Sequence, residues 1–458
     1  MLTIPVSSFA YDRLIPVSQE TKDISVSLRD KAMKDDSAYE LLKSLTTEVG
    51  ARHPGTPGEK AGIKWAVSNL KKLGFDKVYT EDVNMNGWLR GVETAEIILP
   101  SYQKMIITAL GRSKSTPKGG LEGEIVHFKN YEELEKSADG SLKGKIAFIS
   151  NRMEKFIDGA GYGPANIARS KGHEVAAKKG AEALLIRSIG TDDHRNPHTG
   201  STNVAMGYTE IPAIALSNPD ADQLVRLIGY GHTPKIRLNI QTKDLGAIVT
   251  KNVIGEITGR EFPDEVVVIG GHLDSWDLGT GAVDDGAGVT IAMATAALIK
   301  NNTKERPRRT IRVILWGAEE LGLIGARAYA KARQEDGTLA KHMIGSESDF
   351  GAGPIYGLQS SINVSDSALH VIDTMASIMG ELGVSRISGD THGGPDMIPL
   401  SKLGVPALNL SQDGTDYFDL HHTPDDTFDK VNPEHMRQNV AVWAVFTFIA
   451  AEWPGSFK

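Results

Sequence analysis

Apolar and polar positions along the chain change their period at several points, and each change marks an element. Val266–Ile269 is a continuous apolar run, as a strand buried on both faces requires. A polar, glycine-rich stretch follows, GGHLDSWDLGTGAVDDGAG, and then VTIAMATAALIK, which is helical in composition. Strand, polar turn and helix in that order place side chains at the carboxyl ends of a parallel sheet, where α/β proteins keep their sites. The order recurs in TIRVILWGAEELGLIGARAYA: a strand over Ile311–Trp316, a glycine, two glutamates and a helix. AIVTKNVIGEITG reads as one further strand leading into the first of these units.

Upstream the pattern is weaker. Residues 1–34 carry few periodic signals and are expected to wrap the surface. Asp36 or Ser37 can cap a helix to about Val49, with Tyr39, Leu41, Leu42 and Leu45 on one face. ARHPGTPGEK interrupts it. Pro57 then suits the first position of a second helix, which runs to Leu73 and is ended by Gly74. VETAEIILP and KMIITALG read as two strands. At Ser113–Glu124 the composition shifts to a Pro/Gly/Ser-rich linker. Beyond it, to about Lys243, come the strands EIVHF, GKIAFIS, EALLIRSI, IPAIALS and KIRLNIQ, with one helix, GHEVAAKKGA. The fold class is therefore α/β. An α/β/α sandwich around a mixed, mostly parallel sheet is expected from residues 1–115 and 246–458. A β-rich module inserted at 116–245 should lie over one edge, its strands outside the catalytic sheet.

Length and charge narrow the function. A chain of 458 residues exceeds one ordinary domain and suits two or three. A net charge of −8 offers no basic patch for nucleic acid and disfavours an anionic membrane, so neither is expected as a partner. No apolar run in the sequence approaches the length of a bilayer span. The start, MLTIPVSSFAYDRL, lacks the basic region and long apolar core of a secretory signal, which leaves the compartment open. The absence of cysteine excludes a disulfide framework, a thiolate zinc site and a cysteine nucleophile.

The polar turns carry the chemistry. His272 and Asp274 are two apart and point the same way in extended chain. An imidazole there can bind a metal while the carboxylate takes the proton of its other nitrogen. Asp284 and Asp285 stand between Gly281 and Gly286–Gly288, where backbone can pack closely around an ion. The adjacent Glu319 and Glu320 diverge, so one can bind a metal while the other reaches a metal-bound water. Asp349 follows in SESDFGAG, and HHTPDD offers His421 or His422 with a carboxylate nearby to hold the loop. Without thiols, His, Asp, Glu, Asp and His suit zinc at two positions bridged by a carboxylate, about 3.5–4 Å apart. His53 reads as structural, and the module's histidines at 127, 173, 194, 198 and 232 share no ligand spacing. PHTG (Pro197–Gly200) is either a loop tip facing the site or a solvated turn.

The order HLDSWD, GAVDDGAG, WGAEELG, ESDFG, HHTPDDT resembles the di-zinc exopeptidase family of bacterial aminopeptidases and glutamate carboxypeptidases. The resemblance runs from about Asp36 to Trp453. It includes the inserted segment, which is similar to a protease-associated domain, with AAKKGAEALLIRS and PHTG as its most telling pieces. It implies that His272 and Asp349 ligate one zinc, Glu320 and His422 the other, and that Asp284 bridges the two. Glu319 would be the general base, taking a proton from the shared water and returning it to the leaving amine, with Asp274 orienting His272. A cis peptide would join Asp284 to Asp285. His421 matches a histidine beside the ligand in the glutamate carboxypeptidase branch, and its role stays open. The implied function is a zinc-dependent exopeptidase with two zinc ions, acting on dipeptides or short peptides. The family leaves room for a homodimer and favours an extracytoplasmic setting. Two other functions fit the fold: acyl transfer of the glutaminyl cyclase kind, with a single zinc, and receptor-like binding without chemistry. In DGTDYFDLHH, Asp416 and Asp419 are candidates to hold a substrate's free α-amine, a solvated acidic loop being the alternative.

Overall fold

The computed structural model describes residues 14–204 and 207–458. The first elements are α1 (Gln19–Ala32), α2 (Ser37–Ser44), α3 (Pro57–Lys72), β1 (Lys77–Leu99), β2 (Gln103–Met105) and β3 (Ile107–Ala109). Next come β4 (Leu121–Phe128), α4 (Tyr131–Lys136), β5 (Lys145–Ile149), α5 (Tyr162–Lys178), β6 (Ala183–Arg187), β7 (Ala213–Leu216), α6 (Asn218–Gly229) and β8 (Lys235–Ile257). The second half opens with β9 (Phe262–His272), α7 (Ala287–Asn302), β10 (Arg309–Trp316), α8 (Ile324–Glu335), β11 (His342–Glu347) and β12 (Ile355–Ser360). It closes with α9 (Leu369–Met379), β13 (Ser385–Arg386), α10 (Ile398–Lys402), β14 (Leu408–Gln412), α11 (Tyr417–Leu420) and α12 (Pro433–Glu452).

One mixed sheet dominates, in the order β11-β9-β10-β8-β4-β5-β6-β7-β3, with β1 along β8 and β2 on β1. β9 pairs in parallel with β10 and β11. Alternate residues of β9 face opposite helical layers. Val267 and Ile269 pack with residues of α7 and α12, while Val266 and Val268 pack with residues of α8 and α10. That is the expected α/β/α sandwich, and it explains the unbroken VVVI. α7 lies at its centre, buried from Ala287 to Ile299. The helical stretch Ala282–Asn302 is, by length and composition, long and apolar enough to cross a membrane, contrary to the sequence expectation, yet it is wholly buried in this core.

The expectation that the strands of 116–245 stay outside the catalytic sheet is not met. KIRLNIQ and AIVTKNVIGEITG form one 23-residue strand, β8. Its first residues pair with β4 and its last with β10, and β1 runs antiparallel along almost all of it. The polar Thr242–Asp244 reads as a break, but its backbone pairs with Trp88–Arg90, and ladder hydrogen bonds do not depend on side-chain polarity. Among the described residues the segment also holds three helices rather than one. Asn130 caps α4 and Ser217 caps α6, each accepting a backbone N–H three residues on.

The expectation for residues 1–34 is likewise corrected where the chain is described; residues 1–13 lie outside the described residues. Ser18 caps α1, which packs against α12 and buries Leu28 and Ala32 together with Thr21, Ser25 and Arg29. Arg29 reaches the Ile378 carbonyl at 2.9 Å. A buried face that is half polar leaves little periodicity to read.

Candidate metal centre

Parallel pairing brings the carboxyl ends of β9, β10 and β11 side by side, and the candidate groups meet there. His272 ends β9 opposite Trp316, the last residue of β10. Glu319 and Glu320 follow in the next turn, ahead of α8, and Asp349 lies two residues past β11. Asp284 belongs to the turn before α7, and its peptide bond to Asp285 is cis. His422 follows α11 with a left-handed φ of 63°.

Asp284 stands between His272 and His422. Its Oδ1 is 3.0 Å from His272 Nε2, and its Oδ2 is 3.2 Å from His422 Nε2. Asp349 Oδ1 lies 3.5 Å from His272 Nε2, and Glu320 Oε2 lies 3.0 Å from His422 Nε2. Donor atoms within 4.8 Å of one another form the groups His272–Asp284–Glu320, His272–Asp285–Asp349 and Asp284–His421–His422. His421 stacks on His422 with ring centroids 3.4 Å apart, its Nε2 3.7 Å from Asp284 Oδ2.

Backbone contacts hold these groups in place. His272 Nδ1 lies 2.9 Å from the Asp274 carbonyl and 3.8 Å from its carboxylate. The Asp274 carboxylate instead accepts the N–H of Glu319 at 3.0 Å and of Glu320 at 3.3 Å, fixing the turn that carries both glutamates. Asp285 accepts the N–H of His272 and of Gly288. Asp426, the last residue of HHTPDD, accepts the N–H of Ala282 and Val283, both at 2.7 Å, and so ties the His422 loop to the Asp284 turn.

Arg52 is fully buried and donates to the carbonyls of Gly50, Leu273, Thr280 and Gly281, stitching both ends of the Leu273–Gly281 loop to the N-terminal segment. Arg52→Met would remove the guanidinium donor from the Gly50, Leu273 and Thr280 carbonyls, while Gly281 keeps the Gly286 N–H. A loss of at least about 3 kcal/mol in urea unfolding is expected, and an unchanged midpoint would argue against this role.

The electrostatics describe a place that wants a cation. Burial, with Asp349 and Glu320 adding to it, pushes Glu319 well above the ordinary carboxylate range, and burial with Asp284 does the same to Glu320. Burial also lowers His422, keeping its imidazole neutral and free to donate a lone pair. Burial opposes charge on His272 too, but Asp349 and Asp284 outweigh it and raise that imidazole. Asp284 Oδ2 and Glu320 Oε1 are buried without a hydrogen-bond partner. Imidazole and carboxylate donors with orphaned, inward oxygens fit zinc. Behind Asp349, burial pushes Glu347 up to about 8 and raises Asp396, which donates its N–H to Glu347 at 2.5 Å. Sequence reasoning passed over Asp396, although an acid in a Gly/Pro turn before an apolar helix was a readable signal.

The chain segment over the site settles two open readings. PHTG is not a solvated turn: the Thr199 carbonyl lies 3.2 Å from His422 Nδ1, and His198 and Thr199 are buried. Asp416 and Asp419 do not face the site as amine acceptors. Both pair with Lys155, and Asp416 is 85% exposed. His53 is buried beside Trp88 and Trp276, with burial lowering it to about 4, consistent with a structural residue.

The model of peptidase family M28 matches residues 252–447. Carboxypeptidase Q from Mus musculus is 34% identical over 415 residues, covering 91% of this chain and 86% of the relative. The Homo sapiens protein is 33% identical, covering 94% and 88%. Among solved structures, a peptidase M28 precursor from Shewanella amazonensis is 45% identical with a TM-score of 0.92, covering 96% of this chain and 98% of that one. BSAP, a zinc aminopeptidase from Bacillus subtilis, shares the fold with a TM-score of 0.66 at 20% identity, covering 90% of this chain and 93% of that one.

Proposed function

The chain belongs to peptidase family M28, and from that premise we propose that it is a zinc-dependent exopeptidase hydrolysing dipeptides or short peptides. The observation that carries this reading is the convergence of His272, Asp284, Glu320, Asp349 and His422 at the carboxyl ends of β9–β11. His272 and Asp349 would hold one ion and Glu320 and His422 a second, with Asp284 between them. Zinc supplies Lewis-acid polarisation of a peptide carbonyl and a more acidic water when bound.

Glu319 would take the proton of the attacking water and return it to the leaving amine. The Asp274 carboxylate anchors its backbone N–H, and a raised proton affinity suits a group that must both accept and give a proton. Donor groups on both sides of Asp284 favour a peptidase with two ions over acyl transfer with one.

Contacts above the site support short substrates. Gly414 donates to the Ile157 carbonyl, Thr191 donates to the Phe418 carbonyl, and Tyr162 stacks on Phe418 with centroids 5.0 Å apart. These join residues 157–191 to the His422 loop as a roof. Beside Asp284, Glu320 and His422 lies a small cavity of about 10 Å³, room for an ion or a water.

The test is to strip the enzyme of metal, add zinc back, and assay free, N-blocked and C-blocked dipeptides alongside a long peptide. Free dipeptides should be cleaved only after zinc is restored. The blocked substrates report which terminus is recognised. Cleavage at internal bonds of the long peptide would sink the exopeptidase reading.

A further inference from the structure

Three buried side chains of the inserted segment, Asp192, His198 and Arg169, surround Thr199, and Thr199 in turn meets His422. Two hydrogen bonds join Thr199 and His422 reciprocally. Thr199 N–H donates to the His422 carbonyl at 3.1 Å, and His422 Nδ1–H donates to the Thr199 carbonyl at 3.2 Å. The second bond decides chemistry as well as position. A carbonyl oxygen only accepts, so the proton sits on Nδ1 and the lone pair on Nε2, the atom that faces Glu320 and Asp284.

Thr199 is itself held from several sides. His198 donates from Nδ1 to the His421 carbonyl at 2.6 Å, and its Nε2 lies 2.6 Å from Asp192 Oδ1. Asn218 Nδ2 reaches the same Asp192 oxygen at 3.2 Å. The His198 ring lies flush on Gly190, where an added Cβ would stand 2.1 Å from Nε2. Arg90 donates to Thr199 Oγ1 at 2.9 Å, and Arg169 donates to the Thr199 carbonyl at 3.3 Å. His422 needs such restraint, because a φ of 63° is unfavourable for a side-chain-bearing residue and persists only where its surroundings impose it.

We propose that the Asp192–His198–Thr199 clamp of the inserted segment is part of the metal centre, setting the orientation and tautomer of His422 and thereby the affinity of the Glu320–His422 position for zinc. His198 and Asp192 are positioning residues that act through His422. The proposal rests on the two-ion reading above. It gives the inserted segment a part in building the site as well as covering it, so that detaching its loop weakens zinc binding at one of the two metal positions. A group that orients a ligand from behind is typically worth about 10–100-fold in metal affinity.

The test is zinc titration of metal-free wild type and His198→Ala by calorimetry, with thermal unfolding of the metal-free proteins in parallel. The wild type should bind two equivalents. In the variant one equivalent should weaken by about 10–100-fold while the other keeps its affinity. Two equivalents of unchanged affinity in a folded variant would overturn the proposal, and so would equal weakening of both. A purely structural role would lower the unfolding temperature without dividing the two equivalents. Fewer than two equivalents in the wild type would overturn the two-ion reading itself, and this proposal with it.

Should His198→Ala fail to fold, hydrogen exchange on the wild type decides. Coupling is reciprocal, so zinc should slow exchange of the Thr199 amide, which donates to His422. Exchange indifferent to zinc would refute the clamp.

Discussion

Glu319→Ala is expected to retain its zinc and lose about 10²–10⁴-fold in kcat, the usual worth of a general base. Glu320→Ala should instead lose metal and activity together. The two side chains are sequence neighbours, both pushed well above the ordinary carboxylate range by burial. What separates them is direction. Glu320 Oε2 lies 3.0 Å from His422 Nε2 and, with Asp284 and His272, belongs to one group of converging donors, whereas Glu319 belongs to none of those groups. Both backbone amides are held by Asp274, so neither substitution should collapse the turn. Zinc content by atomic absorption and kcat on a free dipeptide, measured on each variant, check this. Equal zinc loss in both variants would defeat the assignment of roles.

The second large effect concerns the metal-free protein. Its stability should fall as pH rises from about 6.5 to about 8, in a window set by two acids outside the proposed ligand set; below 6.5 the buried His53 and His342, lowered to about 4 and about 3, oppose them. Burial, with Asp284 adding to it, pushes Asp426 from 3.8 to about 7, and burial with Asp349 pushes Glu347 from 4.5 to about 8. Each folded-state value lies above the unfolded one, so the folded protein holds these protons more tightly. The stability they contribute is complete below the unfolded values and is lost as pH climbs through 7 to 8. Below its folded-state value each group costs about 1.4 kcal/mol per pH unit. With zinc restored, the ionised carboxylates would face cations and the decline should flatten. Thermal unfolding across pH 4–9, with and without chelator, measures the difference. A metal-free protein whose stability is flat or rising between pH 6.5 and 8 would contradict it.

The sequence by itself determined the strand–turn–helix units and the residue types at their polar turns. Buried parallel strands need long apolar runs, and VVVI and IRVILW have no other ready use. Metal chemistry needs His, Asp and Glu beside glycines, and few places in the chain supply them. Local signals therefore carried both the α/β sandwich and the groups that meet around Asp284. Capping chemistry at Asn130 and Ser217 was legible too.

Only the tertiary structure decided what depends on partners far along the chain. α1 is recognisable once α12 lies against its half-polar face. β8 is a single strand because β1 pairs with its polar centre. Asp416 and Asp419 belong to Lys155, more than two hundred residues away. His198 matters because it reaches the carbonyl of His421 across 223 residues. Hydrogen bonds between backbone and distant side chains leave no period in the sequence, since a carbonyl oxygen is present at every residue and only folding selects the one that is used.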